Sequence, residues 1–373
     1  MRLPPSGIKS SRAARLAARL ALAFLSAVLL SAFLLPAAAR AQQVADDKFA
    51  PPIAKPAHKP GRGPVVALDE AHNNFHTASG RYLPFAELLR RDGYRVRAST
   101  EPFSRRALKG VRLLVVANAL GAPAAPATPA APAAPAAPTA PAAATSTGSV
   151  GSAGSTGSTG SAPAGQGAQS VWAARPSAFS DEEVAAVREW VRGGGSLLLI
   201  VDHMPMPGAA AKLAAAFGAE WSDGFALDGE SQSGRLVFVR EDGTLRDHKI
   251  TRGRSASERV ERVVTFTGSA FRVRGDSSRA EPLLVLPPQV VSLTPEVAWQ
   301  FTPETPRLAV GGWLQGAVFR FGRGRVALFG EAAMFTAQLA GPDRTPAGMN
   351  APDAPHNAQF LLNLVRWLTG KLK

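Results

Sequence analysis

Cysteine is absent from all 373 residues. That removes every thiol nucleophile and every thiolate metal ligand, so any metal must be held by His, Asp, Glu, Asn or backbone oxygen. It also removes the disulfide pattern from which redox compartment is usually read. Other signatures are missing as well. No Walker motif or dinucleotide fingerprint occurs. No G-x-S-x-G elbow offers a serine in place of the thiol. The densest basic stretch, Arg252-Gly253-Arg254 with Arg259 and Arg262 nearby, is interrupted by Glu258 and Glu261 and carries no interleaved aromatics. This argues against a nucleic-acid partner.

The chain opens on a basic region, Arg2, Lys9, Arg12, Arg15 and Arg19, followed by the uncharged apolar run Leu20–Leu35 and the small-residue site Ala39-Arg40-Ala41. Residues 1–41 therefore read as a secretory signal peptide, and the product as periplasmic or extracellular. The competing reading is an uncleaved membrane anchor. The run is 16 residues long, whereas a spanning helix needs about 20. No cysteine follows it, which excludes lipoprotein anchoring. Loss of its six positive charges would lower the net charge from +14 to +8. That remaining excess is spread along the sequence. It suits solubility, or transient association with anionic envelope polymers or membrane surfaces.

Residues 42–62 are polar and proline-rich and read as a disordered leader. Residues 121–170 contain no charge at all. Pro123 to Pro141 recur every third residue, the period of a polyproline II rod. Thr145–Ser161 is Gly/Ser/Thr-rich and reads as a flexible, disordered insertion. Residues 63–120 alone are too few for an independent α/β core. The same alternation resumes after 171, so 63–120 and 171–373 read as one domain interrupted by a long loop.

Within that domain, Val65–Leu68, Tyr94–Ala98, Val111–Ala117 and Leu197–Val201 read as strands. Tyr82–Asp92, a helix capped by Ser180 with Glu183, and Gly208–Phe217 read as helices. Short strands are expected at Val263–Phe266, Phe271–Val273 and Leu283–Leu286. A hairpin is expected over Trp313–Phe321 and Arg325–Phe329, and a last helix over His356–Leu368. The alternation predicts a mostly parallel, doubly wound sheet. Gly193-Gly194-Gly195 lies after a helix and before a strand, the reverse of a phosphate loop, and reads as a helix C-cap.

In such sheets ligands bind at the carboxyl ends of the strands. Two polar clusters fall there. Asp69-Glu70-Ala71-His72-Asn73-Asn74-Phe75-His76 follows Val65–Leu68, and Asp202-His203 follows Leu197–Val201. Glu331 emerges after Val326–Phe329, and Asn118 sits equivalently after Val111–Ala117. Asp69, Glu70, His72, His76, Asp202, His203 and Glu331 are thus the candidate catalytic residues. His72 and His76 have zincin-like spacing, but Asn73 stands where the general base belongs, and the flanking residues favour a loop. A divalent metal held by His72 or His76 with Asp69 or Glu70 is compatible with the sequence, though no cofactor is required by it. The plainer alternatives are that the first cluster hydrogen-bonds its own loop, and that Asp202 caps the following helix.

These stretches, together with Arg81-Tyr82-Leu83-Pro84-Phe85-Ala86-Glu87-Leu88-Leu89, Gly194-Gly195-Ser196-Leu197-Leu198-Leu199-Ile200-Val201-Asp202-His203 and Gly330-Glu331-Ala332-Ala333-Met334-Phe335, give the chain a family likeness. It resembles secreted bacterial proteins of unknown function that carry a class I glutamine-amidotransferase-like domain. The resemblance covers roughly 63–120 and 171–369. It implies a flavodoxin-like three-layer α/β/α sandwich, with the C-terminal β-hairpin and helix added. True amidotransferases attack glutamine with a cysteine, so the standard glutaminase route is excluded here. Besides a purely structural role, with the Ala/Pro segment as a spacer through the cell envelope, two functions stay open. One is a hydrolase acting on envelope glycan or peptide through the His/Asp/Glu rim. The other is a non-catalytic module binding a polar small molecule, glycan, peptide or partner. Trp221, Trp299 or Trp313 beside the polar cluster would favour sugar recognition.

Overall fold

The computed structural model describes residues 43–121, 177–274 and 280–373. The stretch read as a signal or anchor (1–41), nearly all of the 121–170 insertion and residues 171–176 lie outside the described residues. Nine strands form the central sheet: β1 (Val65–Asp69), β2 (Arg95–Ser99), β3 (Val111–Ala117), β4 (Ser196–Ile200), β5 (Ala219–Trp221), β6 (Phe271–Val273), β7 (Glu281–Val285), β8 (Leu314–Phe321) and β9 (Gly324–Phe329). Their order is β2-β1-β3-β4-β9-β8-β6-β5, and β7 also pairs with β8. The described helices are α1 (Leu83–Arg91), α2 (Asp181–Arg192), α3 (Met206–Ala215), α4 (Lys249–Arg252) and α5 (Asn357–Leu368).

The parallel half follows from strands that are apolar on both sides. Successive residues of a strand point to opposite faces. Val66, Leu68, Leu113, Val115, Leu198 and Ile200 enter one core with α1 and α5. Ala67, Leu114, Val116, Leu197 and Leu199 enter a second core with α2 and α3. Burying both faces is what continuous apolar runs require. Ser180 caps α2 through a capping box with Glu183.

The flavodoxin-like three-layer sandwich with a mostly parallel sheet does not form. The pairings β1–β2, β1–β3, β3–β4 and β4–β9 are parallel. Those of β8 with β9, β6 and β7, and of β6 with β5, are antiparallel. Three further sheets are wholly antiparallel. The protein is therefore mostly β, with a mixed nine-stranded sheet. The cause lies in the C-terminal hairpin, which is no appendage. Apolar Val326–Phe329 places β9 beside β4, in register from Arg325↔Ser196 to Phe329↔Ile200. Gly322 and Arg323 then reverse the chain between β8 and β9, so β8 runs opposite to β9. The strands paired directly with β8 are antiparallel to it as well.

The leader read as disordered is ordered from residue 43 onward. Val44–Ala45 pairs with Ala337–Ala340. Phe49 and Ile53 pack on the core, Ala57 is buried, and the Ala57 N–H donates to Asp92 Oδ1 at 2.8 Å. A polar, proline-rich segment has no core of its own, but an extended chain can lean on its neighbour's core, where proline's missing N–H costs little.

Candidate functional site

β1, β3, β4 and β9 run the same way, so Asp69, Asn118, Asp202 and Glu331 all lie at or just past one rim of the sheet. The side chains do not pool there. They divide into a closed clamp and a second, deeper cluster that reaches the surface at one histidine.

The clamp is built on His72. Its Nδ1 lies 2.9 Å from both Asp69 oxygens, and its Nε2 lies 2.8 Å from Glu183 Oε1. Each nitrogen faces a carboxylate, so both must carry hydrogen and the ring is an imidazolium. Burial alone would lower its pKa, but the hydrogen bonds and charges of Asp69 and Glu183 outweigh that and raise it. The ring lies between Phe103 and Phe179, with centroids at 4.6 and 4.7 Å. Asp69 also accepts from Asn74 Nδ2 and the Ala71 N–H. Glu183 also accepts from the Phe103 and Ser180 N–H groups. Its pKa is lowered: burial pushes it up, but these N–H donors and His72 overcome it. Glu70 closes the same loop, accepting the Ala78 N–H at 2.7 Å. Residues 70–78 are not helical, and the rings of His72 and His76 enter different networks.

The second cluster is organised by Asn118, a non-glycine residue at φ 51°. Its Oδ1 accepts the Asp202 N–H at 3.0 Å, which fixes the amide so that Nδ2 donates to His76 Nδ1 at 3.1 Å. His76 Nδ1 therefore accepts, which puts the ring hydrogen of the neutral form on Nε2, beside the Gln338 amide at 3.5 Å. Burial, then the charges of Arg81 and His203, push its pKa down to about 3. Tyr82 covers the ring at 4.5 Å, and the Tyr82 hydroxyl donates to Ala332 O at 2.9 Å. Glu331 is fully buried and accepts the Ala333 and Met334 N–H groups, each at 2.7 Å. Burial and the nearby Asp202 nonetheless hold its pKa well above the usual carboxylate range. Asp202 is raised as well, by burial. Asp202 does not cap α3, whose first turn starts from Pro205 without a side-chain cap; its Oδ1 accepts the His203 N–H at 2.8 Å.

His203 is the one candidate histidine that is only half-buried. Its Nδ1 donates to Met204 O at 2.8 Å, and its Nε2 has no partner among the described residues. The ring stacks on Phe225 at 4.5 Å and 15°, and meets Trp299 edge-on at 4.7 Å. Phe301 closes on Phe225 at 5.1 Å. Trp299 is 59% exposed and Phe301 41% exposed. Trp221 is buried in the core, and Trp313 lies under Arg272.

The donors do not fit a metal. Both nitrogens of His72 and one of His76 are already engaged, and among the described residues no three His, Asp or Glu side chains converge to hold an ion.

No protein-family model matches the chain. No curated protein matches it. Several solved structures overlay most of it at low identity. The mmIFT52 N-terminal domain gives a TM-score of 0.47 at 10% identity, over 82% of this chain and 97% of that one. A cytoplasmic protein from Salmonella typhimurium gives 0.42 at 12%, over 82% and 98%. A ThuA-like protein from Bacteroides uniformis gives 0.39 at 10%, over 86% and 94%. TM-scores below 0.5 carry no argument about this chain's activity or ligand.

Glu183 was not among the candidates from sequence. Its capping box is legible locally, but its bond to His72 spans 111 positions and has no sequence signal. The rings around His203 are equally silent, since Phe225 and Trp299 come from separate segments.

Proposed function

We propose that this chain is an exported amidotransferase-like domain protein that binds a ring-bearing polar ligand, an envelope glycan first and a peptide second, without transforming it. The export leader and the missing cysteine are the sequence support. The observation that carries the reading is the surround of His203. There a half-buried imidazole, its Nε2 without a partner among the described residues, lies among Phe225, Trp299 and Phe301, at the carboxyl rim of the sheet. An exposed aromatic face beside a hydrogen-bonding group matches a sugar, which has an apolar C–H face and hydroxyls at its edge. Catalysis is less well supported because the remaining acids and bases are consumed. Asp69, His72 and Glu183 satisfy one another, and both Glu331 oxygens accept backbone N–H groups out of contact with water.

Calorimetric titration with soluble cell-wall glycan fragments tests this. Saturable binding is expected, weakened about tenfold by Trp299→Ala, since aromatic contacts contribute up to about 1.5 kcal/mol. Equal binding by the parent and Trp299→Ala would remove the site. Ligand breakdown that Glu331→Gln abolishes would replace this reading with the hydrolase.

A further inference from the structure

The linear sequence spreads its basic residues, but the fold gathers part of them. At the amino edge of the parallel strands, opposite the His203 rim, six arginines lie together. Arg320 and Arg325 face each other across β8 and β9. Arg325 is level with Ser196, as is Leu113, the neighbour of Arg112. Arg323 is in the turn between β8 and β9, and Arg188 and Arg192 each lie 5.5 Å from the Phe321 ring. Elsewhere arginines meet carboxylates, as in Arg366 with Asp92, Arg272 with Glu220 and Arg240 with Asp247. Among the described residues none of these six does. Backbone carbonyls hold four of them instead: Gly194 O for Arg112, Gly193 O for Arg323, Trp367 O for Arg325 and Ala216 O for Arg188.

Like charges directly across a strand pair repel. The crowding registers at Arg325, whose pKa is lowered by burial and then by Arg320 and Arg112. An external anion would relieve it. These residues are spread over the starts of β3 and β9, the end of β8, the turn between β8 and β9 and the C-terminal half of α2. This suits an extended anionic surface better than a single small anion. A cavity of about 410 Å³ beside them is lined by Glu189 as well as Arg105, so it is no anion pocket. The half-buried rings of Trp190 and Phe321 adjoin the arginines, a mixture suited to a headgroup interface.

We propose that this edge docks on the phosphate headgroups of an anionic lipid bilayer. Docking would turn the His203 rim away from the membrane, towards ligand. The inference is independent of what that rim binds.

The test is co-sedimentation of the full chain, as it accumulates when expressed with its own leader, with vesicles. Vesicles of equal parts phosphatidylglycerol and phosphatidylcholine are compared with pure phosphatidylcholine. The exposed triple variant Arg192→Gln/Arg320→Gln/Arg323→Gln is expected to lose roughly 100-fold in partitioning, at about five-fold per cation. A variant of equal net charge from outside the cluster, Arg259→Gln/Arg307→Gln/Arg344→Gln, is expected to lose much less. Raised salt should release the parent protein from the anionic vesicles. Equal loss in both triple variants would overturn the proposal, because net charge alone would then explain binding. Binding to soluble polyphosphate without binding to anionic vesicles would overturn it too. Equal binding to both vesicle types would do the same.

Discussion

Replacing His72 by glutamine tests the clamp most directly. The substitution keeps roughly the side chain's length and removes the positive charge. Asp69 and Glu183 would then face a neutral amide across a space in which the His72 and Glu183 side chains are only 6% and 12% exposed. Removing the shared partner of buried charges typically costs ~3–5 kcal/mol. The loss should fall towards the lower end, because backbone N–H groups and Asn74 still serve the two carboxylates. The sign with pH follows from the raised pKa of His72. Its contribution is fully present below the unfolded-state value of 6.5 and is lost as pH rises through the folded value. Urea unfolding of parent and variant at pH 5.5 and at pH 9 should therefore show a larger gap at pH 5.5. A gap below about 1 kcal/mol at pH 5.5, or one that grows with pH, would refute the reasoning.

His76 offers the opposite case. Its imidazole nitrogens, followed by NMR, should show the Nε2–H tautomer with no titration between pH 5 and 8, because burial holds the pKa near about 3; a midpoint near 6.5 would contradict the Asn118 network. A Cβ at Gly324 would meet the carbonyl oxygens of Gly195 and Val191, each at 2.1 Å. Gly324→Ala should thus cost about 1–3 kcal/mol in chemical unfolding, whereas an unchanged midpoint would mean that the hairpin turn is not packed against α2 as described.

Local chemistry was legible from the sequence wherever its cause is local. The Ser180 and Glu183 capping box, the loop character of residues 70–78 and the β8–β9 hairpin each depend on neighbours a few positions apart. The apolar strands β1, β3, β4 and β9 declared their burial by composition. The strand ends then pointed to one rim, and Asp69, Asn118, Asp202 and Glu331 do sit along it. What was not legible is which side chains would satisfy one another. His72 and Glu183 come from either side of an insertion, and nothing in either segment announces the other. The ordered leader was missed for the same reason, since residues 43–62 are held by a core they do not encode.

By itself the sequence determined the apolar strands, the helix caps, the missing thiol and hence the exclusion of the standard glutaminase chemistry. These depend on residue identity and short-range periodicity. Tertiary structure decided the rest. It set the pairing of the sheet beyond β9, because a two-residue turn reverses β8 against β9 and the strands added to β8 pair antiparallel to it in turn. It sealed His72 between two carboxylates and left His203 at the surface among aromatic rings. It also brought scattered arginines to one edge of the sheet, because charge density depends on distance in space and not on position along the chain.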